Sequence, residues 1–449
     1  VNGEHWISFW KLVARIVIRE IRAIGVIRDS DKKKAVKMYS AFVKNTLLFI
    51  ILLIIGCQSN EERLEITMQK SIAWMWAHQS KDGGWHSETH AVLKDGKALT
   101  PYILYHLLLI PEDTFKRPAG AVDRGVEFIR REIRASMTMI EDSLPLLNYP
   151  NYSAAYALRV LCLMKKDTTL QRIIADHLLR EQFIEHRGIT PNNLAYGGWG
   201  YGEPGIPYGE HGHVDISHTR RIVEALMYFG QNGGTAEGRN STLTSQNSHL
   251  LLSYSLTLLP SVKVFLHSVQ RTPEDVRLYE GCLSRKALPY DGGFISSAVT
   301  LATNKSVPVF IPGAGYHYPS YATATCDGLL AMHALGMKDT QAYRDAKHWL
   351  EKNQDMSTID GLTKDDPEQW YQVMHYYHWA VRAEAMTAAG ISGLWSKQLT
   401  KLLIKEQQPG GYYINPIGGV NKEDDPLMAT IFAIQAGMGI RNNEQRISN

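Results

Sequence analysis

Cysteine is scarce in this chain: four residues, Cys57, Cys162, Cys282 and Cys326, in a total of 449. They lie far apart, so a fold stapled by a disulfide framework is excluded. Charge of one sign is lacking too. A formal net charge of +3 is too mild for a nucleic-acid-binding surface, and none is expected. Long apolar runs are missing: Thr46 to Ile55 is about ten residues, and at ~1.5 Å per residue it falls short of a bilayer. Convincing alternating strands are absent from residue 62 onward, which leaves a helical protein. With 44% apolar and 21% charged residues the chain has enough to bury a real core.

The apolar run ends in Leu53-Ile54-Ile55-Gly56-Cys57, with Lys37 and Lys44 as its positive flank, and suits a signal-peptide core. The stretch resembles a bacterial lipobox, which implies that Cys57 is lipidated and anchors the protein to a membrane. Gln58 is not the aspartate of inner-membrane retention, and Ser59-Asn60-Glu61-Glu62 is acidic. The expected location is therefore that of an exported lipoprotein, at the outer membrane or cell surface rather than the inner membrane. Met38 opens a signal peptide of ordinary length over 38–56, followed by a short tether, 57–61. Residues 1–37, including the basic amphipathic Trp6 to Ile27, are then expected to be upstream sequence from a misplaced start.

The rest of the chain is organised around a recurring unit. Gln79-Ser80-Lys81-Asp82-Gly83-Gly84-Trp85 joins a helix end to a glycine turn and a large aromatic; looser copies are Tyr196-Gly197-Gly198-Trp199, Asp291-Gly292-Gly293-Phe294 and Gln407-Gln408-Pro409-Gly410-Gly411-Tyr412. Adjacent glycines permit left-handed backbone at a helix end, and the ring that follows buries a large apolar face. Helical segments come in pairs. Charged amphipathic members run roughly 62–79, 119–134, 168–184, 247–270, 338–353 and 394–407; apolar partners run roughly 99–110, 151–164, 214–230, 320–336, 368–389 and 425–438. The apolar helices start about 52, 63, 106, 50 and 54 residues apart, a repeat of helical hairpins with one interval doubled by an insertion within 231–319. Neither terminal hairpin looks like a polar cap, so the six should close into a ring.

These units resemble the repeats of squalene–hopene cyclases and protein prenyltransferase β-subunits. The best-matching stretches are Ser320 to Ala331, Tyr376-Tyr377-His378-Trp379-Ala380 through Gly390, and Glu423 to Thr430. The resemblance implies an all-α (α/α)6 toroid over 62–440, with a tail at 441–449, surrounding a central cavity. Squalene-type cyclases protonate an alkene with an Asp-x-Asp-Asp-Thr motif. The matching place here is Asp215-Ile216-Ser217-His218-Thr219, where serine replaces the strong acid and Asp215 reads more simply as a helix N-cap. Asp424-Asp425 also opens a helix, whose macrodipole favours the ionised form. Prenyltransferases hold zinc with an Asp-x-Cys and a later histidine; this chain has Glu280-Gly281-Cys282, then Asp424 and Asp425.

Other candidates come from spacing. Tyr371, His375, His378 and Arg382 share one helical face and are expected to form a polar, aromatic cavity wall. His211-Gly212-His213, with His218 nearby, is a second histidine cluster. Tyr152, Tyr156, Tyr321 and Asp327 are further expected cavity residues, with Tyr102 and Tyr105 either lining or packing. No cofactor is expected; metal binding stays open at His375 with His378 and at His211 with His213. The function anticipated is binding of a hydrophobic small molecule or a polysaccharide in the cavity. The alternative is an enzyme, either terpene-cyclase-like on a lipid or a polysaccharide lyase or hydrolase.

Overall fold

The computed structural model describes residues 59–137, 149–232, 258 and 260–448, and most of them are helical. The expected leader 1–37, the signal peptide 38–56 and Cys57 lie outside the described residues, as does 233–257 of the insertion. In chain order the hairpins are α1 (Asn60–Ala77) with α2 (Leu99–Leu108), α3 (Ala121–Met137) with α4 (Pro150–Leu163), and α5 (Thr168–Arg180) with α6 (Ile216–Asn232). Next come α7, described over 260–270, with α8 (Ala322–Ala334), and α9 (Gln341–Lys352) with the single turn α10 (Trp370–Val373) and α11 (His375–Ala388). The last pair is α12 (Trp395–Glu406) with α13 (Pro426–Ser448).

Composition separates the two members of each pair. In α3 the stripe Val126, Ile129 and Ile133 is buried together with Ala121 and Phe128, while charged residues such as Asp123, Arg124, Glu127, Arg131 and Arg134 stay on the exposed face. In α2 every residue from Leu99 to Leu108 is buried, which places that helix inside. The second members form a continuous ring. α2 packs on α4, α4 on α6, α6 on α8, α8 on α11 and α11 on α13, and α13 returns to α2. Residues from Leu64 onward form one compact unit, a closed (α/α)6 toroid with six inner and six outer helices.

The glycine turns are what lock neighbouring hairpins together. Gly83, Gly197, Gly292 and Gly411 all have positive φ, between +83° and +94°. A Cβ on them would lie 2.2 Å from the Arg124 carbonyl oxygen of α3, 1.9 Å from that of Ser261 in α7, 2.8 Å from that of Asp345 in α9 and 2.9 Å from that of Lys70 in α1. Each turn thus presses on the outer helix of the next repeat, and the last presses on the first. A glutamine seals each turn: Gln79, Gln182, Gln270 and Gln407 donate both to the turn's glycine carbonyl and to the neighbouring repeat. The aromatic that follows is fixed at its backbone, since Trp85, Trp199, Phe294 and Tyr413 (one position past the expected Tyr412, which is only half-buried) each donate their N–H to an inner-helix threonine, Thr100, Thr219, Thr325 and Thr430, at 2.9–3.0 Å.

Two boundaries differ from expectation. The segment 441–449, expected as a tail, continues α13 as far as Ser448. The insertion contains a small antiparallel hairpin, β1 (Val309–Ile311) with β2 (Gly315–His317), whose three-residue strands are too short to leave an alternating pattern. Among the described residues no helix is long and apolar enough to cross a membrane.

Candidate functional site

The first turns of the inner helices surround a cavity of about 490 Å³. Its wall takes Tyr102 from α2, Tyr152 from α4, Asp215, Ser217 and His218 from the start of α6, Tyr321 and Asp327 from α8, Trp370, Met374 and Tyr377 from α10 and α11, and Met428 and Phe432 from α13. Loops add Tyr149, Tyr201, His213, Lys305 and Lys422. Burial lowers the affinity of the Lys305 ammonium for its proton, and its Nζ sits 3.6 Å from the centre of the Trp370 ring.

Beneath the cavity the centre of the ring is filled by a charged belt. Arg220 and Arg221 of α6 are almost wholly buried, and both donate to Asp327 Oδ1, at 3.0 and 2.7 Å. Tyr377 Oη donates to Asp327 Oδ2 at 3.0 Å, and Arg221 Nε donates to Tyr152 Oη at 3.0 Å. Arg220 also pairs with Glu224 at 2.8 Å and Glu384 at 2.5 Å; Glu224 in turn pairs with Arg159 of α4 at 2.9 Å. Gln435 of α13 donates to Glu384 and accepts from Tyr102 Oη. All six inner helices contribute, and three guanidinium groups face three carboxylates. Charges paired in this way, all buried or nearly so except the Glu384 carboxylate, which is about one-third exposed, avoid most of the penalty of lone ones.

At the cavity wall, His213, Asp215 and His218 converge. The chain is extended before α6, so residues 213 and 215 fall on one side. Asp215 then caps the helix, its Oδ1 accepting from the His218 backbone N–H at 2.8 Å. Its Oδ2 meets His218 Nδ1 at 2.9 Å and also hydrogen-bonds His213 Nε2. Tyr201 stacks on the His213 ring, centroids 3.8 Å apart, and presents an edge to His218. Burial pushes the Asp215 carboxyl up, but the charge of His218 and the hydrogen bonds of both histidines outweigh it and hold it well below the usual carboxylate range. One nitrogen or oxygen from each of the three residues lies within 4.8 Å of the others, a donor set able to hold a metal.

The structure brings together Asp215, His213, His218, Tyr152, Tyr321 and Asp327 in one cavity. Other sequence candidates lie elsewhere. His211 is held in its loop against the Gly212 carbonyl, away from the cavity lining. Tyr156 packs in an aromatic cluster with Tyr102, Tyr105 and Tyr152. The expected wall of Tyr371, His375, His378 and Arg382 is turned away from the central cavity. Backbone helicity breaks at Met374, and the stripe one residue over, Trp370, Met374 and Tyr377, faces inward instead. Tyr371 and His375 line a separate cleft of about 570 Å³, where His375 Nε2 meets Glu406 at 2.8 Å. His378 is buried, and Arg382 stitches the loop after α9, bonding the Asp355 and Thr358 carbonyls and the Asp360 carboxylate.

Asp424 and Asp425 join the last repeat to the first. Asp424 Oδ1 meets His90 Nε2 at 2.7 Å, and Asp425 caps α13 while accepting from Ser87 Oγ. Cys162, Cys282 and Cys326 are buried free thiols, and Cys282 bridges by its backbone to Gly315 rather than reaching the cavity. The belt residues Arg159, Arg220, Arg221, Glu224 and Glu384 were not expected from sequence. The adjacent arginines Arg220-Arg221, with Glu224 one turn on, in a helix read as an inner member are the signal that could have shown them.

No protein-family model matches this chain, and no curated protein matches it. Among solved structures it is similar to the type II terpene cyclase MstE from Scytonema, at 10% identity and a TM-score of 0.47, covering 85% of this chain and 99% of that one. A protein from Actinoplanes is similar at 10% identity and a TM-score of 0.46, over 84% of this chain and 99% of the other. A protein described as a glycosidase is similar at 13% identity and a TM-score of 0.49, over 86% and 100%. These are likenesses of chain path, and the fold assignment rests on the closed ring itself.

Proposed function

We propose that this toroid is a binding protein whose cavity takes one small amphipathic molecule. The observation that carries the reading is a cup with an aromatic wall above a paired-charge floor: Tyr102, Tyr152, Tyr321, Trp370, Tyr377 and Phe432 surround the space, and the Arg220, Arg221 and Asp327 belt fills the ring below it. A volume of about 490 Å³ lies within the range of about 300–1,000 Å³ typical of small-molecule sites. The ligand's apolar body would lie on the rings and on Met374 and Met428, with its polar end towards Asp215 and its histidines. A filled centre favours a small molecule over a polymer threaded through the ring.

Acid catalysis finds less support. An alkene-protonating acid must keep its proton, whereas two imidazoles hold Asp215 in the ionised form. A glycosidase needs a carboxylic acid beside a second carboxylate, and Asp327 is engaged by two guanidiniums and a phenol. The reading is tested by native mass spectrometry with lipid extraction of protein purified from its own membranes. A stoichiometric apolar molecule that is lost on Tyr377→Ala and Phe432→Ala substitution supports it; an empty cavity that also takes up no fatty acid or isoprenoid sinks it. The same proposal puts the cup at a membrane surface through lipidated Cys57, which the mass of the mature N-terminal peptide would check.

A further inference from the structure

The cluster on the cavity wall goes beyond a polar end to the cup. We propose that His213, Asp215 and His218 bind one divalent transition-metal ion, of which Zn²⁺ is the type, with its open coordination positions facing the cavity.

Four observations support the site. The donors are two imidazole nitrogens and one carboxylate oxygen, all within 4.8 Å of one another. Tetrahedral bonds of about 2.0–2.2 Å to a common ion would put neighbouring donors roughly 3.3–3.6 Å apart; His218 Nδ1 and Asp215 Oδ2 are 2.9 Å apart, so a small outward shift of the imidazole seats the ion between them. The donors are also held in place. The N-cap bond from the His218 backbone occupies Asp215 Oδ1, while Oδ2 faces the two imidazole nitrogens, where an ion would take the place of the shared protons; Tyr201 fixes both rings, stacking on His213 and meeting His218 edge-on at 4.7 Å. Asp215 and His218 are buried, while all three residues line the cavity.

The chemistry of the set narrows the ion. Two imidazoles and one carboxylate suit Zn²⁺, Co²⁺ or Fe²⁺ rather than Ca²⁺ or Mg²⁺, which take oxygen cages. Three protein donors leave room for water or a ligand. The ligand class follows: an apolar body ending in an oxygen donor such as a carboxylate, the donor on the ion and the body on the tyrosines. This last step rests on the cavity being a ligand cup; the metal site itself does not.

The test uses the full chain, stripped with EDTA and then equilibrated with Zn²⁺ or Co²⁺. The expected result is one ion per chain by elemental analysis, visible Co²⁺ absorption bands, and a melting temperature raised by Zn²⁺. The double variant His213→Ala, His218→Ala should lose all three, and Asp215→Asn, which keeps the cap acceptor, should weaken Zn²⁺ binding tenfold or more. A wild type that binds no more Zn²⁺ than a folded double variant, with no shift in melting, overturns the site. Palmitate binding separates this from the proposed function. Palmitate taken up equally by stripped and Zn²⁺-treated protein that holds no ion refutes the metal and keeps the cup. Zn²⁺ bound at the three residues with no palmitate or isoprenoid uptake keeps the metal and refutes the cup.

Discussion

Replacing Asp327 with asparagine removes one negative charge from the centre of the ring at almost no change in volume. The belt then holds Arg159, Arg220 and Arg221 against only Glu224 and Glu384, an excess of one buried positive charge. Arg220 keeps two carboxylate partners, but Arg221 is left with neutral oxygens, Tyr152 Oη, Tyr377 Oη and the Ser217 carbonyl. Leaving a buried charge unpaired costs about 3–5 kcal/mol. For a unit of this size the entropy of unfolding is roughly 0.8 kcal/mol/K, so the melting temperature should fall by about 4–6 °C. The companion is the double variant Asp327→Asn, Arg221→Met, which restores neutrality and should recover at least half of that loss. The assay is a thermal melt by circular dichroism, with reversibility checked. A shift under about 1 °C for Asp327→Asn, or a double variant worse than either single one, would show that charge balance is not what holds the centre together.

Gly197→Ala should cost roughly 2–5 kcal/mol, because its φ of +86° is strained for alanine and its Cβ would press on the Ser261 carbonyl. Gly205→Ala, at φ +77° with open space around it, should cost only about 1 kcal/mol; equal losses on denaturant melts would refute the turn-to-helix lock. Burial and the charge of Arg382 keep His378 neutral, its pKa well below the usual imidazole range. The unfolded chain therefore takes up a proton near pH 6.5 that the fold refuses, and the stability present above that pH falls below it by about 1.4 kcal/mol per unit. His378→Gln should flatten the pH dependence by that slope between pH 6.5 and 5, and an unchanged slope would mean the imidazole is protonated in place. Burial pushes the Cys162 and Cys326 thiols up to about 12, so peptide mapping should find neither alkylated by iodoacetamide at pH 8 until the protein is unfolded.

The architecture was legible because its signals are local: glycine pairs, helical periodicity and a repeat near fifty residues. The fastening between repeats was only half legible. Gln79 and Gln407 stand four residues before their glycines, but Gln182 and Gln270 reach theirs across 15 and 22 residues. Only the fold shows them to be the same device. The threonines that hold the aromatics lie on the following helix and were invisible for the same reason. At the site, Asp215 and His218 were readable as a cap and its third residue, whereas His213 joins them through the extended approach to α6. The face of Tyr371, His375, His378 and Arg382 was drawn on an unbroken helix. The break at Met374 and the inward choice of Tyr377 depend on neighbours that periodicity does not contain.

The joint that closes the ring ties residues near the start of the toroid to residues near its end. Ser71 donates to the Gly411 carbonyl 340 positions away, Gln407 to the Thr67 carbonyl and Tyr102 to Gln435. As the chain leaves the ribosome, α2, with every residue destined for burial, must therefore wait for α13 before one of its flanks is covered. An open stack of hairpins matures as it grows; this one stays unfinished until its last helix arrives. The waiting time, set by the rate of synthesis and by contacts this distant in sequence, is when the apolar flank of α2 is most available to aggregation or to a chaperone.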